Sequence, residues 1–180
     1  MAVLAGDGLL NTAFEAMNRD MIFYFDDNDA LKKRVKASYE IGKGAGCRGM
    51  VAGQVADMEA EDKSSSKEML DYIHLTKTSA LIVAAVRAGA YLGNADSEKL
   101  DNLTTFAENL GLAFQIRDDI LDVIGTEEEM GKKAGMDSAN KKATYPALYG
   151  IEESKKRLNE LTNTAIEALS QYYDNAELFT

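Results

Sequence analysis

The chain has 180 residues, 46% of them apolar, and a formal charge of −10 at pH 7. This size and apolar content favour one folded domain with a hydrophobic core over a disordered chain. The acidic balance excludes nucleic acid as an expected partner, because like charges repel.

Helix-forming residues are abundant, and the sequence contains a single proline. The composition therefore predicts an all-α fold, with one helical domain over residues 1–180. Cys47 is the only cysteine, so no internal disulfide is possible, which is compatible with a reducing cytoplasm. No run approaches the roughly 18–20 apolar residues of a membrane span, and the N-terminus lacks the basic region of a signal peptide. We expect a cytoplasmic chain without a membrane span.

The first half of the sequence predicts four helices. The polar turn 26–29 ends the first and caps the second, and Ser66 caps the fourth. Gly46, Gly49 and Gly53 lie at or within the third helix. Because each glycine costs roughly 1 kcal/mol inside a helix, their presence predicts close contact with a neighbouring helix. The first helix covers about residues 3–19, and the second runs from the polar turn to about residue 41. The third and fourth cover about residues 47–61 and 67–92.

The second half predicts one long helix and one amphipathic helix. Gly93 and Asn94 end the fourth helix, and Ser97 caps the longest one, about residues 98–124. The glycine-rich, charged segment 126–140 predicts a mobile loop, and a short turn follows at 144–149. The final helix, about 151–173, turns four apolar residues to its inner face. They are Leu158, Leu161, Ile166 and Leu169.

The longest helix carries carboxylates among dense apolar residues. Gln115, Asp118 and Asp122 recur at i+3 and i+4 and form one stripe, with Asp119 beside it. Burying unpaired carboxylates is costly, so a buried stripe needs compensation. Mg²⁺ prefers carboxylate oxygens and commonly bridges them to phosphates. The alternative is a solvated face, which is commoner for an isolated Asp-Asp-x-x-Asp run, but the apolar flanks favour a metal site.

The fourth helix shows a similar pattern. His74, Lys77 and Thr78 share a face and precede the uncharged run 80–86. A buried lysine needs an anionic partner. The alternative, equally consistent with this segment, is a lysine whose ammonium reaches solvent near a helix end. We expect His74 to be a structural hydrogen-bonding residue rather than a metal ligand.

Two further sets of polar residues can be interpreted either as solvated surface residues or as part of a functional site. Gln54, Asp57 and Glu61 share one face of the third helix, for which a solvated face is favoured. Lys132 and Lys133 follow the aspartate stripe in the glycine-rich loop. Loop lysines are usually solvated, but beside a metal–diphosphate site they could close over the phosphates.

Six segments together match a known family: Leu4–Leu10, Gly49–Asp57, Ile73–Leu81, Gly111–Asp122, Gly131–Lys132 and Lys142–Leu148. In this order, they resemble the trans-isoprenyl diphosphate synthase family, and within it the bacterial farnesyl diphosphate synthases. The resemblance implies a helical bundle of the isoprenoid synthase type. It also implies Mg²⁺-dependent prenyl transfer, in which isopentenyl diphosphate attacks the cation formed from dimethylallyl or geranyl diphosphate, giving farnesyl diphosphate.

The resemblance also implies roles for single residues. Asp118 would be a direct Mg²⁺ ligand, with Asp119 and Asp122 acting directly or through water. Lysines would bind the allylic diphosphate, and a threonine and a glutamine would line the position of the cation. These diphosphate-binding and catalytic side chains are Lys77, Lys132, Lys142, Thr78 and Gln115.

The family's first aspartate-rich motif and its segments for isopentenyl diphosphate have no counterpart in these 180 residues and would precede Met1. We therefore expect the C-terminal part of the fold, incomplete at the N-terminus, with little or no turnover by itself. The alternative is a non-catalytic helical partner subunit of a complete synthase. A terpenoid cyclase or squalene-type synthase fits the Lys-Thr and Gln-x-x-Asp-Asp combination less well. An open bundle exposes apolar surface, and the family commonly dimerises through the first two helices, so we expect a homodimer or higher oligomer.

Overall fold

The computed structural model describes residues 1–60, 66–124, 144–170 and 172. These residues form helices joined by short turns and no strand, which confirms the all-α prediction. A π-helical turn, Leu75–Ser79, joins the fourth and fifth helices without a break. The helices are α1 (Ala2–Phe23), α2 (Asn28–Ala45), α3 (Met50–Ala60), α4 (Lys67–His74), α5 (Ala80–Leu92), α6 (Ser97–Ile124), α7 (Tyr145–Tyr149) and α8 (Ile151–Ser170). The predicted loop at 126–140 lies outside the described residues, as do Glu61, Lys132, Lys133 and Lys142.

Helix α6 lies at the centre of the bundle. It packs along α8 on one side and along α5 and the π turn on another, and α2 packs on α5. Its apolar side chains contribute to two buried clusters. One cluster consists of Leu70, Ala113, Ile116, Ile120, Tyr145 and Leu161, and the other of Phe106, Ala107, Ala165 and Leu169. The predicted inner face of α8 is confirmed, with Leu161 and Leu169 buried and Leu158 and Ile166 partly buried.

Most of the predicted caps are confirmed. The Asp27 carboxylate accepts a hydrogen bond from the Ala30 N–H at 3.0 Å, and the Ser66 hydroxyl accepts one from the Met69 N–H at 3.3 Å. The prediction for α6 is wrong by one residue. Asp96 Oδ1 accepts from the Lys99 N–H at 2.8 Å, so Asp96 is the cap and Ser97 is the first helical residue. A carboxylate three residues before an N–H of the first turn satisfies that donor, and it brings a negative charge to the positive helix end.

Helix α2 does not end near residue 41, as predicted, but continues to Ala45. A β-carbon on Gly44 would lie 2.5 Å from the Ala84 Cβ and 2.8 Å from the Ala80 carbonyl oxygen. Gly44 therefore serves the contact between α2 and α5, and the helix ends at the next glycine, Gly46, which is its C-cap. Packing against a neighbour overrides the low helix propensity of glycine.

The stretch Lys67–Leu92 is long and apolar enough to cross a membrane by length and composition alone, with a mean hydropathy of 1.2 over its best window. The apolar runs of the sequence predict no such segment. One helix of this kind is weak evidence for a span, because a helix packed inside a bundle passes the same test. Here the stretch contacts α2, α3 and α6.

Candidate active site

The π turn carries two of the predicted site residues, Lys77 and Thr78. The sequence predicts one regular helix through this region, and that prediction is wrong. A π turn contains one more residue per turn than an α-helix, and such turns are frequently found at functional sites. Both side chains are half-buried, and the last residue of the turn, Ser79, is 1% exposed. The Ser79 hydroxyl donates a hydrogen bond to the His74 carbonyl at 2.9 Å.

Two glycines allow the neighbouring helices to pack closely against the turn. A β-carbon on Gly53 of α3 would overlap the Lys77 backbone, lying 2.6 Å from the Lys77 Cα. A β-carbon on Gly111 of α6 would lie 2.7 Å from the Ser79 Cβ. The absence of side chains at these positions lets α3 and α6 approach the turn from two sides. The predicted close contact is confirmed for Gly53.

Lys77 is paired with Asp57 of α3. The Nζ–Oδ2 distance is 2.5 Å, and the side chains are 30% and 14% exposed respectively. The solvated face favoured for Asp57 is therefore wrong, whereas Gln54 on the same helix is exposed. The anionic partner that a buried lysine requires comes from a residue twenty positions earlier. Sequence spacing could not reveal it, because the pair depends on the approach of α3 to the turn.

Asp119 links three helices. It is 8% exposed, and its Oδ2 accepts a hydrogen bond from the Tyr145 N–H of α7 at 2.7 Å. The same oxygen lies 3.6 Å from His74 Nε2 of α4. The side chain thereby ties the first residue of α7 to the middle of the bundle, a role that the sequence analysis did not foresee.

His74 is 4% exposed and is the only histidine in the chain. Burial lowers its pKa to about 4, because the charged imidazolium loses its hydration. The nearby Asp57 acts in the opposite direction, and Lys77 reinforces the lowering of the pKa. The imidazole is therefore neutral at pH 7. Its Nδ1 makes no hydrogen bond within the described part of the chain, and its contact with Asp119 is longer than a hydrogen bond.

The predicted stripe lies on one continuous helix. Gln115 and Asp118 are half-buried, and Asp122 is 2% exposed, so the solvated-face alternative does not describe this part of α6. Carboxylates in such surroundings have the chemistry that a hard divalent cation prefers. Among residues 1–60, 66–124, 144–170 and 172, however, no three His, Cys, Asp or Glu side chains converge closely enough to hold a metal ion. The described residues therefore offer donors of the right kind but not a closed set of ligands.

Solved structures define the class of protein. An FPP/GFPP synthase from Zymomonas mobilis aligns with a TM-score of 0.79 at 29% identity, covering 99% of this chain and 57% of that one. A geranyltransferase from Helicobacter pylori, complexed with magnesium and isoprenyl diphosphate, aligns with a TM-score of 0.79 at 30% identity, covering 99% and 56%. The fold is that of the all-α isoprenyl synthases.

Sequence comparison identifies the family. The polyprenyl synthetase family model matches residues 1–176. A farnesyl diphosphate synthase from Geobacillus stearothermophilus is 44% identical over 178 residues, which cover 99% of this chain and 57% of that enzyme. A geranylgeranyl diphosphate synthase from Cyanophora paradoxa is 42% identical over 176 residues, which cover 97% and 57%. The chain belongs to the polyprenyl synthetase family. It spans about half the length of the relatives that it matches.

Proposed function

We propose that this chain supplies one wall of a Mg²⁺–diphosphate site that serves prenyl transfer. The reaction is the condensation of isopentenyl diphosphate with dimethylallyl or geranyl diphosphate to farnesyl diphosphate. One observation carries the proposal: the lysine-bearing π turn packs directly on the aspartate-bearing helix. Gly111 of α6 meets Ser79 at one end of this contact, and Asp119 meets His74 at the other. Gln115 lies between these two points on α6, as Lys77 and Thr78 do on the turn.

The proposed roles follow from the chemistry of the side chains. Asp118 and Asp122 bind Mg²⁺, and Lys77 contacts the diphosphate while Asp57 orients its ammonium group. When bound, the metal neutralises charge that develops on the departing diphosphate. Lysine adds a positive charge at the same place, in partly buried surroundings where it is worth more than in water. Asp119 would act on the metal directly or through water, while its Oδ2 also accepts the hydrogen bond from the Tyr145 N–H.

The remaining residue assignments belong to the same proposed site. Thr78 and Gln115 line the position of the allylic cation, where a dry surface protects it from water. Lys132 and Lys142 would close over the diphosphate. Both lie outside the described residues, so their assignment rests on the family resemblance.

The test is a binding measurement. Calorimetric titration with an unreactive thiolo analogue of geranyl diphosphate should give binding that requires Mg²⁺. Lys77→Gln and Asp118→Ala should each weaken it at least about tenfold, the value of one lost charge-assisted contact. Glu160→Gln, on the exposed face of α8, is the matched charge control and should leave the affinity unchanged. Equal binding by Asp118→Ala and the unsubstituted chain would contradict the proposed metal site.

Turnover is the second test. We expect little or no farnesyl diphosphate from the purified chain with isopentenyl and geranyl diphosphates and Mg²⁺, because the family's first aspartate-rich motif has no counterpart in these 180 residues. Any turnover that survives Asp118→Ala would contradict the site. The competing proposal is a non-catalytic partner of a complete synthase. Co-purification with such an enzyme and a change in its product length would favour that alternative.

Self-association is a further part of the proposal. Helix α1 contains no buried residue, and its exposed side chains include Val3, Leu9 and Phe23, which are 77%, 74% and 81% exposed. Large apolar side chains exposed along a helix that buries none of its residues promote association. We expect a homodimer or higher oligomer in sedimentation equilibrium. A monomer at about 100 μM, well above the dissociation constants of stable dimers, would contradict this expectation.

A further inference from the structure

The hydroxyl of Ser79 makes an unusual hydrogen bond for a helical serine. Several serine and threonine hydroxyls in the described helices bond the carbonyl four residues earlier, as Ser154 does to Gly150 at 2.7 Å and Thr76 does to Tyr72 at 2.6 Å. Ser79 reaches the carbonyl of His74, five residues earlier, at 2.9 Å. That spacing spans the whole π turn. The hydroxyl therefore ties the residue that ends the turn to the residue that precedes it.

The position of Ser79 is also set by its surroundings. The residue is 1% exposed, and a β-carbon on Gly111 would lie 2.7 Å from both its Cβ and its Oγ. Helix α6 therefore packs so closely against Ser79 that a side chain at position 111 would overlap the serine. A buried hydroxyl that loses its acceptor costs free energy, so the side chain is held in the one orientation that reaches the His74 carbonyl.

The extra residue of the turn decides where Lys77 is placed. Each residue of a helix advances it by about 100°, so removing the insertion would rotate α4 relative to α5 by about that angle. With the turn in place, the Lys77 backbone lies against Gly53, and its Nζ reaches Asp57. Thr78 lies on the same turn.

We propose that Ser79 is a positioning residue that stabilises the π turn and thereby presents Lys77 and Thr78 to the diphosphate. The role rests on the proposed function of this site. Ser79 itself touches no ligand, and it acts through the backbone of residues 75–79. Loss of its hydroxyl leaves the side chains of the site intact but loosens the turn that carries them.

Ser79→Ala removes the hydroxyl and keeps the Cβ that fills the space against Gly111. Ser154→Ala in α8 is the matched control, because Ser154 is 0% exposed and also donates to a backbone carbonyl, remote in sequence from the turn. Both variants lose one buried hydroxyl bond and should lose similar thermal stability. Only Ser79→Ala should speed amide hydrogen exchange in residues 75–80, by about fivefold, the equivalent of one net hydrogen bond.

The second readout is the affinity for Mg²⁺ with the unreactive geranyl thiolodiphosphate. We expect about a fivefold weakening in Ser79→Ala and no change in Ser154→Ala. Unchanged exchange in residues 75–80 of Ser79→Ala would overturn the inference, whatever the ligand does. Faster exchange with unchanged affinity would also overturn the positioning role, provided that Lys77→Gln weakens binding. No binding by the unsubstituted chain would overturn the proposed function itself, while the exchange result would still decide whether Ser79 stabilises the turn.

Discussion

Replacing Gly53 by alanine tests whether α3 must approach the π turn without a side chain. A β-carbon at this position would overlap the Lys77 backbone and lie 2.6 Å from the Thr76 hydroxyl oxygen. Backbone cannot move aside without disturbing the turn, so the insertion acts as overpacking, which typically costs about 1–3 kcal/mol. The higher helix propensity of alanine offsets up to about 1 kcal/mol. We expect the free energy of unfolding to fall by about 2 kcal/mol.

Gly89 is the matched control, because it lies within α5, is exposed and has no atom within 4 Å of the position of an added β-carbon. Gly89→Ala should raise the free energy of unfolding by about 0.5–1 kcal/mol through helix propensity alone. The assay is urea unfolding followed by far-ultraviolet circular dichroism at pH 7. In a thermal scan, Gly53→Ala should melt about 4–8 °C below the unsubstituted chain. Equal stabilisation by the two substitutions would refute the close approach of α3 to the turn.

Three other perturbations follow from the buried polar contacts. His74 has a pKa of about 4 in the folded chain, below its unfolded value of 6.5, so the unfolded state takes up the proton first as pH falls. Stability should be lost between pH 6.5 and pH 4, by up to about 3 kcal/mol, and the imidazole NMR signals should titrate near pH 4. Arg87→Leu should cost about 3 kcal/mol, because its guanidinium lies 2.9 Å from Glu40, whose side chain is 8% exposed and would stay buried without its cation. Asp119→Ala should cost about 2 kcal/mol by leaving the Tyr145 N–H without its acceptor.

Each of these predictions has a control. His74→Gln should lose the pH-dependent component, since the chain has no other histidine, and an unchanged slope between pH 6.5 and 4 would show that His74 is not its source. Lys156→Leu removes one side of an exposed pair with Glu153, 66% and 57% exposed, and should change stability by less than about 0.5 kcal/mol. If Arg87→Leu is equally mild, its ion pair does not act as a buried one. Asp118→Ala should weaken Mg²⁺–diphosphate binding but lower the free energy of unfolding by less than Asp119→Ala does. A larger loss of stability in Asp118→Ala, with unchanged binding, would contradict its role as a metal ligand.

Much of the fold could be predicted from local sequence. Side-chain caps at Asp27 and Ser66 depend on residues three positions apart, so they can be read directly from the sequence. The inner face of α8 follows from apolar periodicity in the same way. The cap of α6 was misplaced by one residue because Asp96 and Ser97 are adjacent and both residue types are good caps. Helix ends near glycines were less predictable, because packing of α2 on α5 carries the helix past residue 41.

The residues of the candidate site were also predictable where they depend on local spacing, and not where they depend on contacts between helices. The stripe of Gln115, Asp118 and Asp122 was predictable because all three lie on one helix, where spacing alone decides which residues share a face. The partner of Lys77 was not, since Asp57 belongs to another helix and looked like part of a solvated face. The engagement of Asp119 with Tyr145 was equally hidden, because those residues are 26 positions apart.

The sequence by itself determined the helical class, most helix boundaries, the aspartate stripe and the resemblance to the polyprenyl synthetase family, because each depends on residue type and short-range spacing. Only the tertiary structure decided that a π turn interrupts the predicted fourth helix and that Lys77 pairs with Asp57. It also decided that the Ser79 hydroxyl bonds the His74 carbonyl across the turn, packed against Gly111. These features arise where three helices meet. Their energies depend on how closely backbones from distant parts of the chain approach, and no local pattern encodes that distance.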